Sequence, residues 1–481
     1  MFEARAIIGG RDPARAPSAT FDRTDPLTSE VITRAAACTE AAAADAAGAS
    51  AAAYPAWAAT DPVARSQVLL RAADLLEARK AEFVEVAHRE VGATPDWIHF
   101  NIAVAADTLR HCATLTDRIG ETPYETGRPG IAYTRITRPV GVVLGIAPWN
   151  APVTLAVRAI AAPLALGNTV VLKGSELCPR THELVAQALL DAGLPDGAIN
   201  YVVNAPDDAH AVVEALIAHP AVRRVNFTGS TRVGREVALI AARHLKRCLL
   251  ELSGKAPAII LADADVAAAA RAVAQGAFFN QGQICMSTDR VIVEDTIAEP
   301  FVAALRAETE ALRLPDLTAA SDSTGQLITA DAALRVKGLI EDALRKGATL
   351  VTGGESFNRL MQPTVLDHVT FGMRIYAEET FGPALGIIRV ADADEAVSVA
   401  NDSDFALAAA VWSEDIAAAA GVAHRIEAGI VHVNGSTVYD DPALPFGGLK
   451  ASGYGRFGGD SVVAEFTETT FVTQPRATAG N

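Results

Sequence analysis

The feature that most constrains this chain is an alternation running from residue 140 to residue 254. The apolar runs "VGVVLGIA", "NTVVLKG", "INYVVNA", "VRRVNFTG" and "RCLLELSG" read as strands. Between them lie "THELVAQALLDAG", "DAHAVVEALIAH" and "STRVGREVALIAARHL", with apolar residues at helical spacing. Strands alternating with helices of this length predict a parallel sheet covered on both faces, so the fold class is α/β. Ligands bind such sheets at the carboxyl ends of the strands. The segments to examine therefore follow each strand: "PWN", "KGSE", "TGSTRVG" and "ELSGK". A second block, from "KAPAIILADAD" past "ALGIIRV" to "GIVHVNG", predicts a further α/β unit. The alanine-crowded stretch from Val31 to about Thr60 predicts helix, continuing through "VARSQVLLRAADLLEARKAEFVEVAHREVG". The final "AEFTETTFVTQPRA" alternates like an exposed strand, and an uncovered terminal strand tends to pair with a neighbouring subunit.

Composition narrows the function. Acidic residues outnumber basic ones 57 to 41, a net charge of −16, which disfavours nucleic acid as a partner. Cys38, Cys112, Cys178, Cys248 and Cys285 are scattered and form no CxxC, which argues against a disulfide framework and against a metal site. The opening "MFEARAIIGGRD" mixes charges where an export signal needs an apolar core. The uncharged "PVGVVLGIAPWNAPVTLAV" is broken by three prolines and two glycines, so it reads as strand and loop, not a membrane span. The expectation is a soluble cytoplasmic protein.

Some motifs carry no weight. "GYGRFG" fits GxGxxG but follows no strand and has too little chain after it, so a flexible loop is expected there. "SGKAP" lacks the upstream glycine and the hydroxyl of a phosphate loop, and "HELVA" has no second histidine for zinc. Others are more telling. In "FTGSTRVG" Ser230 and Thr231 cap a helix end, which suits either a pyrophosphate or an ordinary cap. In "VVLKGSE" Lys173 and Glu176 share one strand-end loop, as ribose contacts or as a solvated pair. Glu251 ends the apolar strand "CLLELSG", where burial would raise its pKa toward that of a general base. Cys285 lies in "FFNQGQICMST", among amides and a glycine whose backbone N–H groups suit an oxyanion. It reads either as a nucleophile or as a packed thiol. Asn150 of "PWN" is a further strand-end amide or a turn residue.

The ordered set PWN, KGSE, FTGSTRVG, ELSGK, GQIC, EETFGP and PFGG resembles the aldehyde dehydrogenase superfamily over nearly the whole chain. Glu251 and Cys285, 34 positions apart, keep the spacing of that family's base and nucleophile. The resemblance implies a Rossmann-type cofactor domain (1–118 and 139–250), an α/β catalytic domain (251–450) and a small β oligomerisation arm (119–138 and 451–481). It implies Cys285 as nucleophile, Asn150 as oxyanion holder and Glu251 as the base that activates the hydrolytic water. The implied cofactor is NAD, with NADP disfavoured by the charge of Glu176. Its contacts would be Lys173 and Glu176 on the adenosine ribose and Trp149 and Ser230 on the pyrophosphate, with Gly229, Gly234 and Leu252 as further cofactor-binding residues. Glu379 and Phe381 would meet the nicotinamide ribose and ring. "NQGQICMSTDR", "HVNGSTVYDD" and "PFGGLKASGYGRFGG" look most like the branch acting on salicylaldehyde, vanillin and benzaldehydes, with Trp97, Arg158, Tyr439 and Phe457 about the substrate. A homodimer or homotetramer is implied.

Two departures stand out. Gly174 stands where the family commonly has proline or a small residue, which implies a looser loop carrying Glu176. Ser253 replaces the first glycine of the usual ELGGK, at a cost of about 1 kcal/mol if that position needs a positive φ. Glu251 argues against a coenzyme-A-acylating enzyme, and the cofactor motifs argue against a thiol hydrolase. The joint presence of Cys285, Glu251 and Asn150 argues against a non-catalytic protein.

Overall fold

In the computed structural model of the chain, residues 1–11, 17–26, 28–126, 128, 130–312 and 325–475 are described. The first alternating block builds a six-stranded sheet. Its five parallel strands lie side by side in the order Arg247–Glu251, Val222–Thr228, Val142–Ile146, Thr169–Lys173 and Ile199–Val202. Val142–Ile146 and Thr169–Lys173 are buried at every residue, which is why they read as unbroken apolar runs. From the central strand Val142–Ile146 the chain builds outward on one side and then returns to the other. The crevice of a doubly wound sheet opens at such a reversal.

The second block forms a seven-stranded sheet in the order Thr349–Thr352, Thr364–Asp367, Ala384–Val390, Thr288–Glu294, Ala256–Ile260, Ala408–Trp412 and Ile430–Val433. Only the edge strand Thr349–Thr352 is antiparallel. A third sheet of Gly120–Tyr124, Ile131–Pro139 and Thr467–Pro475 is antiparallel, and most of the last strand is exposed. Residues 476–481 of the expected arm lie outside the described residues.

Four expectations need correction. Val31–Ala36 is a strand between Phe2–Ala4 and Thr20–Thr24, and helix begins only at Glu40. The β-branched run Val31-Ile32-Thr33 favours extended backbone, and Thr39 caps the helix by accepting from the Ala42 amide. "GYGRFG" is no flexible loop: Gly453–Tyr454 pairs antiparallel with Leu250–Glu251. A Cβ on Gly453 would lie 2.0 Å from the Leu250 carbonyl oxygen, so only glycine permits this pairing. The same pairing moves residues 453–454 from the expected arm onto the first sheet. Glu251 likewise ends a strand of that sheet, so it does not open the second unit.

Candidate active site

The strand Val142–Ile146 ends at the crevice, and Pro152 starts the next helix at its first turn. Asn150, in the short link between them, is held from several sides. Its backbone carbonyl accepts from Trp97 Nε1 at 2.8 Å and from Asn280 Nδ2 at 3.1 Å. Its own side-chain Nδ2 donates to the Gln283 carbonyl at 2.9 Å. Two residues beyond Gln283, in the same loop, stands Cys285.

That loop leaves the helix Val266–Phe278 through Asn280, Gln281 and Gly282, whose φ values are +48°, +55° and +67°. A Cβ on Gly282 would meet the Gly382 carbonyl at 2.3 Å. Gln283 fixes the loop: its Oε1 accepts from the Ile328 amide at 2.9 Å and its Nε2 donates to the Gln326 carbonyl at 3.1 Å. From the other side Gly254 closes in, and a Cβ there would stand 2.2 Å from the Cys285 carbonyl oxygen. The second glycine position of "ELSGK" therefore answers to the Cys285 loop. Ser253 does not take a positive φ, so the anticipated strain is absent. Nor is the loop after Lys173 loose: Gly174 packs against Tyr201, whose ring would lie 2.6 Å from an added Cβ.

Cys285 and Glu251 face one cavity of ≈ 370 Å³ with Trp149, Asn150, Gly229, Ser230, Leu252, Glu379 and Phe381. Glu251 is 0 % exposed, and neither carboxylate oxygen closes a hydrogen bond. Burial pushes its pKa up to about 7, opposed by the positive charge of Arg158 and by the nearby Cys285 thiol. Burial, together with the charge of Glu251, pushes the thiol well above its ordinary range. At rest the sulfur therefore keeps its proton, beside a carboxylate able to take it near neutral pH.

A second cavity of ≈ 430 Å³ shares Pro148, Thr228, Gly229 and Ser230 with the first and extends to Lys173 and Glu176. Lys173 Nζ lies 3.6 Å from Glu176. Ser230 caps the helix Thr231–Arg243, accepting from the Val233 amide, and leaves that positive helix end at the cavity wall. A Cβ on Gly234 would stand 2.4 Å from Leu252, so Gly234 serves helix packing beneath the cavity. The joined cavities, with a carboxylate at one end and a helix terminus between, fit an extended dinucleotide. Glu379 accepts from the Gly254 amide at 3.0 Å, and Phe381 meets Trp149 edge-on at 6.0 Å between ring centroids.

The four residues expected about the substrate stand outside the lining of the Cys285 cavity. Trp97 is buried behind Asn150 and stacks on Phe100. Arg158 and Phe457 line a smaller cavity, and Tyr439 is half exposed with its ring against His432. Several residues went unnoticed in the sequence. Lys255 Nζ donates to Asp289 at 2.8 Å and to Thr380 at 3.2 Å, tying together the segments of Gly254, Cys285 and Glu379. A lysine inside the apolar "GKAPAIIL" was the available signal. Arg335 also lines the cavity and donates to the Glu379 and Thr380 carbonyls, and no sequence signal marks it. Among the described residues no group of three His, Cys, Asp or Glu side chains could hold a metal, and no helix is long and apolar enough to cross a membrane.

A family model described as "Aldehyde dehydrogenase family" matches residues 14–472. A vanillin dehydrogenase of Pseudomonas fluorescens is 50% identical over 473 residues, covering 98% of each chain. A salicylaldehyde dehydrogenase of Pseudomonas putida is 46% identical over 455 residues, covering 94% of each. The crystal structure of a salicylaldehyde dehydrogenase from Pseudomonas putida G7 complexed with salicylaldehyde superposes with a TM-score of 0.95. It is 43% identical and covers 100% of this chain and 99% of that one.

Proposed function

The chain belongs to the aldehyde dehydrogenase family, and from that premise we propose that it oxidises aromatic aldehydes to carboxylic acids with NAD, through a covalent adduct on Cys285. One observation carries the chemistry: thiol, buried carboxylate and anchored amide border one cavity, and a second cavity that reaches Lys173 and Glu176 shares Pro148, Thr228, Gly229 and Ser230 with it. The substrate class rests on the vanillin and salicylaldehyde dehydrogenases among its relatives.

In the first step the Cys285 sulfur bonds to the carbonyl carbon while the thiol proton passes to Glu251. The carbonyl oxygen takes up the negative charge, and the Asn150 amide and the Cys285 backbone N–H hold it. A nicotinamide dinucleotide, when bound, supplies the acceptor for the hydride that leaves the adduct carbon, and a thioester remains. Once Glu251 has released its proton to solvent, it draws one from a water molecule whose oxygen attacks the thioester. The carbon–sulfur bond then breaks, the sulfur regains a proton from Glu251, and the carboxylic acid departs. Two moderate barriers replace one high one.

Family members use NAD or NADP. NAD is our choice because the Glu176 carboxylate, in the expected ribose position, would repel a 2′-phosphate. We assign Lys173 and Glu176 to the adenosine ribose, Trp149, Gly229 and Ser230 to the pyrophosphate, and Glu379 and Phe381 to the nicotinamide end, with Gly234 and Leu252 supporting the middle. We further propose a cytoplasmic homo-oligomer, joined through the exposed strand Thr467–Pro475.

The test is to follow NADH with benzaldehyde, vanillin, salicylaldehyde and straight-chain aldehydes, with and without coenzyme A. Turnover independent of coenzyme A, highest for the aromatic aldehydes and lost in Cys285→Ala, is expected. Straight-chain aldehydes preferred by a wide margin would overturn the substrate class, and full activity in Cys285→Ala would overturn the mechanism.

A further inference from the structure

The helix Pro152–Ala165 turns Leu155 toward the Cys285 cavity, and Arg158 and Ala162 toward the smaller cavity beyond it. Residues spaced by three and four share one helix face, so the two cavities follow each other along that face. Arg158 lines the smaller cavity, one helical turn beyond Leu155. Its guanidinium pairs with the Asp440 carboxylate, both side chains are more than nine-tenths buried, and its Cζ lies 4.1 Å from the centre of the Phe446 ring. Its charge reaches both Cys285 and Glu251. Asp441 lines the same small cavity. Arg335, the other guanidinium on these linings, is tied to the backbone carbonyls of Glu379 and Thr380.

We propose that Asp440 is a specificity-determining residue: by occupying Arg158 it makes the cleft reject aldehydes that also carry an anionic carboxylate. This rests on the proposed oxidation of aromatic aldehydes at Cys285, with the ring of the substrate extending from the sulfur toward this smaller cavity. A buried guanidinium is a forked donor that matches a carboxylate, and left free it would hold an anionic substrate tightly. With Asp440 seated on it, an incoming carboxylate must displace a buried partner or lie against a like charge, with Asp441 nearby. Either is costly where water is excluded. A neutral ring bearing hydroxyl or methoxyl groups meets no such repulsion.

The experiment compares kcat/KM, with NAD, for benzaldehyde, 4-carboxybenzaldehyde and the methyl ester of the latter, which keeps the shape without the charge. Benzaldehyde turnover by the parent enzyme checks the underlying reading separately. In the parent the ester should exceed the acid by at least about tenfold, the scale on which one pocket group discriminates. In Asp440→Asn, which keeps an acceptor oxygen for the guanidinium, the acid-to-ester ratio should rise about tenfold or more. In the double variant Arg158→Met/Asp440→Asn, which holds neither charge, that rise should disappear. An acid handled as well as its ester by the parent overturns the inference without any variant. So does an unchanged ratio in Asp440→Asn, or an equal rise in the double variant.

Discussion

Glu251 illustrates how one residue can serve chemistry at the expense of stability. Its carboxylate is buried without a hydrogen-bond partner, and its pKa rises from 4.5 to about 7. Below 4.5 the folded and unfolded chains both hold the proton. Between 4.5 and about 7 the unfolded chain has released it and the folded chain has not, so stability falls as pH rises. Above that window the deficit is constant, on the order of 3 kcal/mol. Glu251→Gln should therefore melt a few degrees higher than the parent at pH 8, and this gain should vanish near pH 4. The same variant, without the group that takes the thiol proton, should form its first NADH per site more slowly than the parent and then stall at the thioester. In the parent, thioester hydrolysis should accelerate with pH and level off above about 7, as Glu251 ionises. Identical melting of the two proteins at pH 8, or steady parental turnover by Glu251→Gln, would count against this account.

At the scale of elements, the thiol is positioned by close backbone approach. The turn after the helix Val266–Phe278 carries three residues with positive φ, and Gly254 presses against the Cys285 carbonyl. Backbone on both sides leaves no room for a side chain to yield. Gly254→Ala should displace the Cys285 loop and lower kcat about a hundredfold, since misplacement by about an ångström has that effect. Gly421, in the helix Ile416–Ala423, has open space around its Cα. Gly421→Ala should leave kcat unchanged and add about 0.5–1 kcal/mol of stability through helix propensity. Equal activity loss in both variants, or none in either, would show that contact with the Cys285 loop is irrelevant.

Across the whole molecule, the cleft lies where the two large sheets meet. Glu251 ends the last parallel strand of the first, while Cys285 shortly precedes the strand Thr288–Glu294 of the second. Lys255, paired with Asp289 and Thr380, braces this junction. The third sheet stands apart with its long terminal strand exposed, and Phe471 and Val472 on that strand are half exposed, Phe471 beside Tyr124. An edge of this kind lowers its free energy by pairing. If the arm joins subunits as proposed, Phe471→Asp with Val472→Lys should shift the assembly to a smaller species in analytical ultracentrifugation, with the melting of the subunit core little changed. An unaltered sedimentation coefficient would move the interface elsewhere.

The sequence by itself determined the alternating strands and helices, the crevice at their carboxyl ends and the loops that border it, because apolar periodicity and turn chemistry act over a few residues. It could mark Glu251 as an odd charge on an apolar strand and Cys285 as a thiol among amides. It misread Val31–Ala36, where alanine content hid a β-branched run, and Gly453–Tyr454, whose pairing partner lies about two hundred positions earlier. Only the tertiary structure decided that Trp97 braces Asn150, that Lys255 clamps three segments, and that Arg158 is occupied by Asp440, 282 positions away. Such pairs depend on which faces the packed sheets and helices bring together. A linear pattern carries the burial of each element but not the direction in which its polar side chains find partners.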